Sequence, residues 1–303
     1  MEQAIETSVA PGEPGAPKQS AYKRALILFN EKAGSVRSGD RDKLIAAVQA
    51  AGVEQYALVG PEMTSANLFK LAKDFDVLIV LGGDGTARNV AEFAPANAPP
   101  LMLLPGGTLN VLPRALYGER AWPEALKDGL EQGVVKRLPA GKANGAPFFV
   151  AAIFGEPTLL ARAREAVREG QFLRAFRRFN HFTRRAFTHR VRARAQGHPM
   201  QKVAAVGVLC PAFSGEVEGK ELEWVTLDAS RLLDLARVSL RSMSNAWRDD
   251  PAIEIGQCKS GEISSPGLIP ATLDGEPKTF VSSIKITYSP NGPRVLALED
   301  KAV

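Results

Sequence analysis

The chain has few of the residues that build disulfide frameworks, zinc sites or histidine-based catalysis. Its 303 residues include two cysteines, Cys210 and Cys258, without Cys-x-x-Cys spacing, and three histidines without metal-ligand spacing. These absences argue against a disulfide scaffold, a zinc enzyme and a serine–histidine–aspartate hydrolase. The chain also has no apolar run of about 18 residues and no basic start followed by an apolar stretch, so we expect neither a membrane helix nor a signal peptide. The default expectation is a cytoplasmic protein.

The length and the apolar content favour two domains with buried cores. Apolar residues make up 45% of the 303 residues, which is enough for a real core in each domain. Residues 1–21 carry prolines among glycine, alanine and serine without periodicity, so we expect a disordered tail. Residues 22–136 alternate apolar strands with amphipathic helices, which predicts an α/β domain with a parallel sheet. Residues 137–303 show short strands separated by glycine, proline and serine, which predicts an all-β sandwich domain.

Apolar patterns place the individual elements along the chain. In the first domain they predict strands at Arg24–Phe29, Val53–Val59, Val77–Leu81 and Leu101–Leu104. A helix through Leu44 would end at Gly52, Thr64 or Ser65 would cap a second helix, and a last helix would end near Gly133. In the second domain the predicted strands are Phe148–Phe154, Arg190–Ala195, Val203–Leu209, Leu222–Leu227, Ile253–Gln257 and Ile284–Tyr288.

A glycine-rich turn follows the third predicted strand. Gly82, Gly83 and Gly85 surround Asp84 in the sequence Gly-Gly-Asp-Gly-Thr, and a helical pattern begins beyond it. We expect these glycines to take positive φ values and to direct N–H groups, with the positive end of the new helix, toward a phosphate. No Gly-Lys-Ser/Thr follows, so the turn is not a P-loop. A carboxylate in a phosphate cradle must hold a cation or take a proton; the plain alternative is that Asp84 or Thr86 caps the helix.

Two further polar turns follow predicted strands of the same sheet. They are Asn30–Ser35 and Pro105–Asn110, the latter with the sequence Pro-Gly-Gly-Thr-Leu-Asn. Ligands of parallel sheets bind at the carboxyl ends of the strands, where such turns gather. Either turn alone would be weak evidence, but together with Gly82–Thr86 they predict one site.

The segment Arg162–Arg194 contains eleven arginines, no lysine and five interleaved phenylalanines at mainly helical spacing. Two interpretations carry similar weight. The phenylalanines could pack on the sheet while the arginines face water, or the segment could contact an anionic lipid surface. No nucleic acid partner is expected, because the rest of the chain offers no groove-reading module. The segment is therefore the candidate membrane contact of this chain.

Near the end, Asp274-Gly275-Glu276 places two carboxylates around a glycine, after a predicted loop rich in proline and glycine. Asp-Gly is the commonest hairpin signal, so an ordinary β-hairpin turn is the favoured interpretation of this motif taken alone.

Taken together, the three turns and the Asp-Gly-Glu motif resemble the motifs of the diacylglycerol kinase catalytic-domain family, which includes sphingosine kinases and soluble bacterial lipid kinases. Their order and spacing agree over roughly residues 22 to 300. NAD kinases share the glycine-aspartate motif, whereas the Gly-Thr-x-Asn motif at 107–110 discriminates the lipid kinases. The resemblance implies an α/β nucleotide domain of the NAD kinase/diacylglycerol kinase type and a β-sandwich, with ATP and Mg²⁺ bound in a cleft where a lipid hydroxyl is phosphorylated.

The resemblance also implies roles for individual residues. Asp84 and Glu276 are the competing candidates for the base that takes the hydroxyl proton. Asp84 and Asp274 would lie near the metal, and Asp274 also near the nucleotide. The remaining residues implied at the nucleotide are Asn30, Gly34, Ser35, Gly82, Gly83, Gly85, Thr86, Gly107, Thr108 and Asn110. The enzyme would be cytoplasmic and peripherally associated with a membrane, and a homodimer stays open.

Three departures from the family pattern concern the acceptor lipid. Val111 stands where the family often has aspartate, and Glu31 stands where it usually has proline. Glu156 is the nearest acid to the position where the family commonly has a lipid-contacting aspartate. Two alternatives to a lipid kinase therefore stay open: an NAD kinase-like enzyme, and a non-catalytic sensor of lipids or nucleotides on the kinase fold.

Overall fold

The structure is a computed structural model that describes residues 6–9, 21–155, 190–211, 219–228 and 246–299. The chain divides into two compact units. The first unit contains the residues up to Pro139 and those from Pro290 onward, and the second contains most of the residues between them. Within the described ranges, no helix is both long and apolar enough to cross a membrane.

The secondary structure comprises strands, helices and one short 3-10 helix at Ala246–Asp249. The described strands are β1 Glu6–Val9, β2 Arg24–Phe29, β3 Gln55–Val59, β4 Val77–Gly82, β5 Leu101–Pro105, β6 Val134–Arg137, β7 Ala140–Ala143, β8 Ala146–Phe148, β9 Ala151–Gly155, β10 Val191–Ala195, β11 Gln201–Val203, β12 Ala205–Leu209, β13 Leu222–Leu227, β14 Ile253–Cys258, β15 Ser260–Leu273, β16 Glu276–Ser289 and β17 Arg294–Ala297. The described α-helices are α1 Asp40–Ala50, α2 Ser65–Ala72, α3 Asp84–Phe93, α4 Val111–Tyr117 and α5 Trp122–Gln132.

The first unit is built on a seven-stranded sheet with the order β1-β3-β2-β4-β5-β17-β6. Its central strands β3, β2, β4 and β5 run parallel. Every residue of β4 is buried, as expected for an apolar strand at the centre of a parallel sheet. The prediction of an α/β domain with a parallel sheet is confirmed for these central strands, whereas β1 and β6 pair antiparallel with their neighbours β3 and β17.

Helix ends follow the predicted capping residues. The Thr64 side chain accepts a hydrogen bond from the Asn67 amide at the start of α2, which satisfies one of the unpaired amides of the first turn. Gly52 follows the end of α1 with a φ of 88°, a left-handed conformation that favours glycine. Helix α5 ends directly before Gly133. These three predictions are confirmed.

Both ends of the chain depart from the predicted organisation. Residues 6–9, predicted to lie in a disordered tail, form the edge strand β1, which pairs antiparallel with β3. Strand β17, predicted to belong to the second domain, lies between β5 and β6 of the first sheet. The predicted boundary at 136/137 lies near the observed one at 139/140, but residues 290–303 return to the first unit. A strand of four residues carries no sequence signal for the sheet that it joins, because backbone groups do the pairing.

The second unit is an antiparallel sheet of ten strands, which confirms the predicted all-β class. Its main path is β14-β13-β12-β9-β15-β16-β7-β8, with β10 paired to β15 and β11 to β10. Strand β15 pairs with β10 through its first half and with β9 through its second half. One buried apolar cluster joins the strands, and Phe148, Phe154 and Trp224 are its largest side chains.

Several predicted segments of the second unit differ from the structure; Val203–Leu209 is divided between β11 and β12, and Ile284–Tyr288 is only part of β16. The proline- and glycine-rich stretch before Thr272, predicted as a loop, is part of the long strand β15, which absorbs Pro266 and Gly267 in a β-bulge between Ser264 and Leu268. The predicted strand Phe148–Phe154 is instead two strands, β8 and β9, separated at Phe149 and Val150.

Candidate active site

The three polar turns of the first unit meet at the carboxyl ends of β2, β4 and β5, which are neighbours in the sheet. Backbone hydrogen bonds join all three. The Asn30 amide donates to the Leu81 carbonyl at 2.9 Å, and the Gly106 amide donates to the Gly82 carbonyl at 3.0 Å. The Ser35 amide donates to the Gly106 carbonyl at 2.9 Å. The sequence therefore predicts correctly that these turns lie together.

The glycines of these turns allow the backbones of neighbouring turns to approach closely. They do not adopt left-handed backbone conformations. The described Gly82, Gly83 and Gly85 are absent from the residues with positive φ, and Gly83 has a φ of −81°. A Cβ on Gly107 would lie 2.9 Å from the Gly83 Cα, and one on Gly106 would lie 2.9 Å from the Gly82 carbonyl oxygen. The prediction of positive φ values in the Gly-Gly-Asp-Gly turn is therefore wrong, because the strand runs straight into the helix and the tight space lies between the turns.

Polar side chains of the predicted nucleotide site brace the turns against one another. The Ser35 hydroxyl and the Asn110 Nδ2 both donate to the Gly107 carbonyl, the latter at 2.9 Å. The Gly107 amide donates to Asn110 Oδ1 at 2.6 Å. Asn110 makes this clamp with a φ of 52°, which is the left-handed conformation that asparagine tolerates better than most residues.

The first turn is braced in a similar way. Asn30 Nδ2 donates to the Thr86 Oγ1 at 3.0 Å, and a Cβ on Gly34 would lie 2.7 Å from the Thr108 Oγ1. Most of the side chains expected at the nucleotide thus hold the loops in place. The groups best placed to receive phosphate oxygens are the first backbone amides of α3. Amides in a first helical turn have no intrahelical partner, and among the described residues no side chain caps α3.

Asp84 links two turns through its carboxylate. Its Oδ2 accepts a hydrogen bond from the Asn110 amide at 2.9 Å, and its Oδ1 accepts one from the Val111 amide at 2.7 Å. It therefore caps the start of α4, the neighbouring helix, and not its own helix α3. Each carboxylate oxygen can still accept a second contact. No group of three or more histidine, cysteine, aspartate or glutamate side chains that could hold a metal occurs in the described ranges. Asp84 would fit Mg²⁺ as a single protein ligand, because this ion is commonly held by one or two carboxylates and substrate phosphates.

In the second unit, Asp274 and Gly275 form the turn between β15 and β16. Their φ values of 49° and 86° match a two-residue type I′ hairpin, as the Asp-Gly sequence predicted. The Asp274 carboxylate accepts hydrogen bonds from the amides of three consecutive residues, Phe149, Val150 and Ala151, at 2.8–3.0 Å. Glu276 begins β16 opposite Leu273 and is exposed.

Several predicted residues lie outside the described ranges. They include Glu156, the candidate lipid contact, and all of the Arg162–Arg194 segment before Arg190.

The structure also gives contacts at the site to two residues that are not among the predicted site residues. Gly106 is the central backbone link between the turns; it belongs to the Pro-Gly-Gly-Thr-Leu-Asn motif, but it is not among the residues predicted at the nucleotide. Cys210 is buried, and its thiol contacts the corner at Phe148.

Comparison with known proteins agrees with the motifs. Residues 24–143 match the family model described as the diacylglycerol kinase catalytic domain. A diacylglycerol kinase from Staphylococcus saprophyticus is 32% identical over 143 residues, which cover 45% of this chain and 46% of the relative. A diacylglycerol kinase from Bacillus subtilis is 31% identical over 132 residues, which cover 42% of this chain and 44% of the relative. The alignments thus span less than half the length of these curated relatives.

Solved structures resemble almost the whole chain. A putative diacylglycerol kinase from Bacillus anthracis superimposes with a TM-score of 0.69 at 18% identity, covering 96% of this chain and 99% of that one. A diacylglycerol kinase structure from the same organism gives a TM-score of 0.64 at 17% identity, covering 93% and 99%. At sequence identities of 17–18%, the structural similarity establishes the fold alone. The match to the family model is a separate finding from the sequence. Over residues 24–143, the chain is therefore similar in sequence to the catalytic domain of diacylglycerol kinases.

Proposed function

We propose that this protein is an ATP-dependent lipid kinase that transfers the γ-phosphate to the hydroxyl of a diacylglycerol-like or other long-chain lipid. The observation that carries the proposal is the cradle of three turns joined backbone to backbone at the carboxyl ends of β2, β4 and β5. Phosphoryl transfer depends mainly on positioning and on charge stabilisation, and a braced cradle at a helix start supplies both. The names of the curated relatives support a lipid acceptor.

In this proposal the backbone around Gly83 and the first turn of α3 receives the ATP phosphates. Asp84 would hold Mg²⁺ together with phosphate oxygens, and the ion when bound would neutralise the charge that develops on the transferred group. Asp84 would also keep its two contacts to the start of α4, so that binding of the phosphates leaves the Pro105–Asn110 turn in place.

Glu276 is the better candidate for the proton acceptor. The oxygens of Asp84 accept two backbone amides and in this proposal also hold the cation, which leaves little room for a hydroxyl, whereas the Glu276 residue is exposed at the start of β16. A general base must be able to approach the hydroxyl to within hydrogen-bond distance, directly or through one water. We therefore assign the proton to Glu276 and the cation to Asp84.

A lipid kinase must reach a membrane surface, and we propose that Arg162–Arg194 makes this contact. The support is the sequence pattern alone, since arginine stems can lie along apolar surface while their guanidinium groups meet phosphates. Each cation near an anionic surface contributes about 1 kcal/mol, so four would shift partitioning by roughly a thousandfold. Reversing Arg174, Arg177, Arg178 and Arg185 to glutamate should abolish sedimentation with anionic vesicles. Unchanged sedimentation would place the membrane contact elsewhere.

The kinase proposal is tested by incubating the purified protein with labelled ATP and a panel of acceptors. The panel contains diacylglycerol, a sphingoid base, phosphatidylglycerol and NAD. We expect label in a lipid, and loss of that label in the Asp84→Asn variant. Label in NAD alone would make the protein a dinucleotide kinase. Binding of ATP or lipid vesicles without any labelled product would favour the sensor and overturn the proposal.

A further inference from the structure

We infer that Asp274 is a positioning residue: its carboxylate fixes the hairpin turn that carries Glu276, and it binds neither the metal nor the nucleotide. The inference rests on the proposed function, because it gives Asp274 a role through the proposed base. It reverses the role that the family resemblance implies for this aspartate.

The turn is attached to the neighbouring strand at two points. The Asp274 amide donates to the Ala151 carbonyl at 2.8 Å. The Asp274 carboxylate accepts the amides of Phe149, Val150 and Ala151. Strand β15 pairs with β9 as far as Leu273, and the Asp274 contacts then fix the two left-handed residues of the turn beyond it. Glu276 follows directly, paired with Leu273, and its backbone position is therefore set by the same contacts.

The carboxylate has little capacity left for a cation. Oδ1 accepts from Val150 at 2.9 Å and from Ala151 at 3.0 Å, and Oδ2 accepts from Phe149 at 2.8 Å. A carboxylate offers about four acceptor positions, and at least three are engaged here. Consecutive amides that converge in this way form a concave anion site, and the ligand of this one is the protein's own Asp274. A cation at the same oxygens would have to displace donors that are held by the backbone.

The corner that receives the carboxylate is itself held by buried contacts. The Cys210 amide donates to the Val150 carbonyl at 2.8 Å. The Cys210 thiol donates to the Phe148 carbonyl and accepts the Gly141 amide, both at 3.3 Å. Burial, and after it the negative charge of Asp274, raises the pKa of the Cys210 thiol, so the thiol keeps the proton that it donates. The position of Glu276 is thus connected to the buried core of the second unit.

The test compares Asp274→Asn and Asp274→Ala with a matched control, Asp76→Asn. Asp76 also accepts two backbone amides, those of Lys23 and Arg24, together with the Arg24 guanidinium. It directly precedes β4, at the end of that strand opposite the glycine turn. The control should lower thermal stability to a similar extent while kcat stays within about twofold of the wild type.

For a positioning residue, kcat should fall in the order wild type, Asn, Ala, because asparagine keeps one acceptor oxygen. A displacement near 1 Å can cost about 10²-fold in rate, so we expect roughly that loss in the alanine variant. The KM for ATP and the half-saturating Mg²⁺ concentration should stay within about twofold. A metal ligand would instead raise the half-saturating Mg²⁺ concentration at least about tenfold, and that result would overturn the inference. A similar loss of kcat in Asp76→Asn would also overturn the inference, because lowered stability alone would then explain the loss of kcat in the Asp274 variants.

A second measurement does not depend on activity. Amide hydrogen exchange at Phe149–Ala151 should accelerate in Asp274→Ala and should be unchanged when Mg²⁺ is added to the wild type. Equal exchange in variant and wild type would show that the carboxylate does not bind these amides. If the wild-type protein phosphorylates no acceptor, the proposed function fails, while the exchange data still decide where the Asp274 carboxylate lies.

Discussion

Replacing Gly107 with alanine should disrupt the cradle while leaving the rest of the molecule intact. The new Cβ would lie 2.9 Å from the Gly83 Cα, 3.1 Å from the Asn110 Oδ1 and 3.2 Å from the Asp84 amide nitrogen. Carbon atoms in contact are ordinarily about 3.5–4.0 Å apart, so the two turns must separate by about 0.6 Å or more. The neighbours are backbone atoms and the Asn110 clamp, none of which can rotate away as a flexible side chain would.

The two expected effects of this separation differ greatly in size. Overpacking in a tight space costs about 1–3 kcal/mol, and each kcal/mol lowers the melting temperature of a domain of this size by about 2–4 °C. The rate should respond more strongly, because misplacement of reacting groups by about 1 Å can cost 10²-fold. We therefore expect kcat/KM to fall by about two orders of magnitude while the protein still unfolds cooperatively.

The assay is lipid phosphorylation with labelled ATP, measured beside a thermal unfolding curve. The matched control is Gly256→Ala in β14, where no atom of the described residues lies within 4 Å of the new Cβ. The control should retain wild-type rate and melting temperature. If Gly107→Ala keeps more than half of the wild-type activity, the close contact of the turns does not govern catalysis, and the reasoning from the cradle fails.

Two further changes test other parts of the proposal, and a third concerns the stability of the second unit. Asp84→Asn should reduce the rate by about 10² to 10⁴, because the cation loses its charged ligand; retention of more than half the activity would remove Asp84 from the mechanism. Glu276→Gln should lower the maximal rate with little change in the KM for ATP, whereas unchanged kinetics with a lowered melting temperature would retire Glu276 as the base. Burial, and after it the charge of Glu221, raises the pKa of the Cys258 thiol from 9.0 to about 11. The thiol ionises at a lower pH in the unfolded chain than in the folded protein. The contribution of Cys258 to the free energy of unfolding should therefore be present below about pH 9 and lost as the pH rises to about 11. Denaturant midpoints should show this loss, and the Cys258→Ser variant should lack it; an equal loss in the variant would contradict the assignment.

The elements that sequence predicts well are those in which local pattern and tertiary environment agree. β2 begins and ends at the predicted residues, Arg24 and Phe29, because a run of apolar residues at the centre of a parallel sheet is buried on both faces. The cap at Thr64 depends only on its own helix. β15 could not be predicted, because its continuity across Pro266 and Gly267 depends on partners from other parts of the chain.

At the candidate site, the convergence of the three turns could be predicted from the sequence, whereas the hydrogen bonds between them could not. Parallel strands place their carboxyl ends at one edge, so turns after neighbouring strands must converge. Which groups a side chain binds depends on spacings of a few tenths of an ångström, which no sequence motif contains. Asp84 therefore caps α4 and not its own helix α3. The glycines allow the turns to pack closely against one another.

The return of β17 to the first sheet has a consequence for how the protein is made. β17 lies between β5 and β6, and the Tyr117 hydroxyl donates to the Leu296 carbonyl at 2.6 Å. The sheet that carries the three turns therefore stays incomplete until the ribosome has synthesised Arg294–Ala297, after all of the second unit. Contacts between residues so distant along the chain slow folding, and an open β5 edge on the nascent chain invites pairing with other strands. Removing β17 should thus damage the unit that carries the three turns, although this strand lies more than 150 residues beyond Asn110 in sequence.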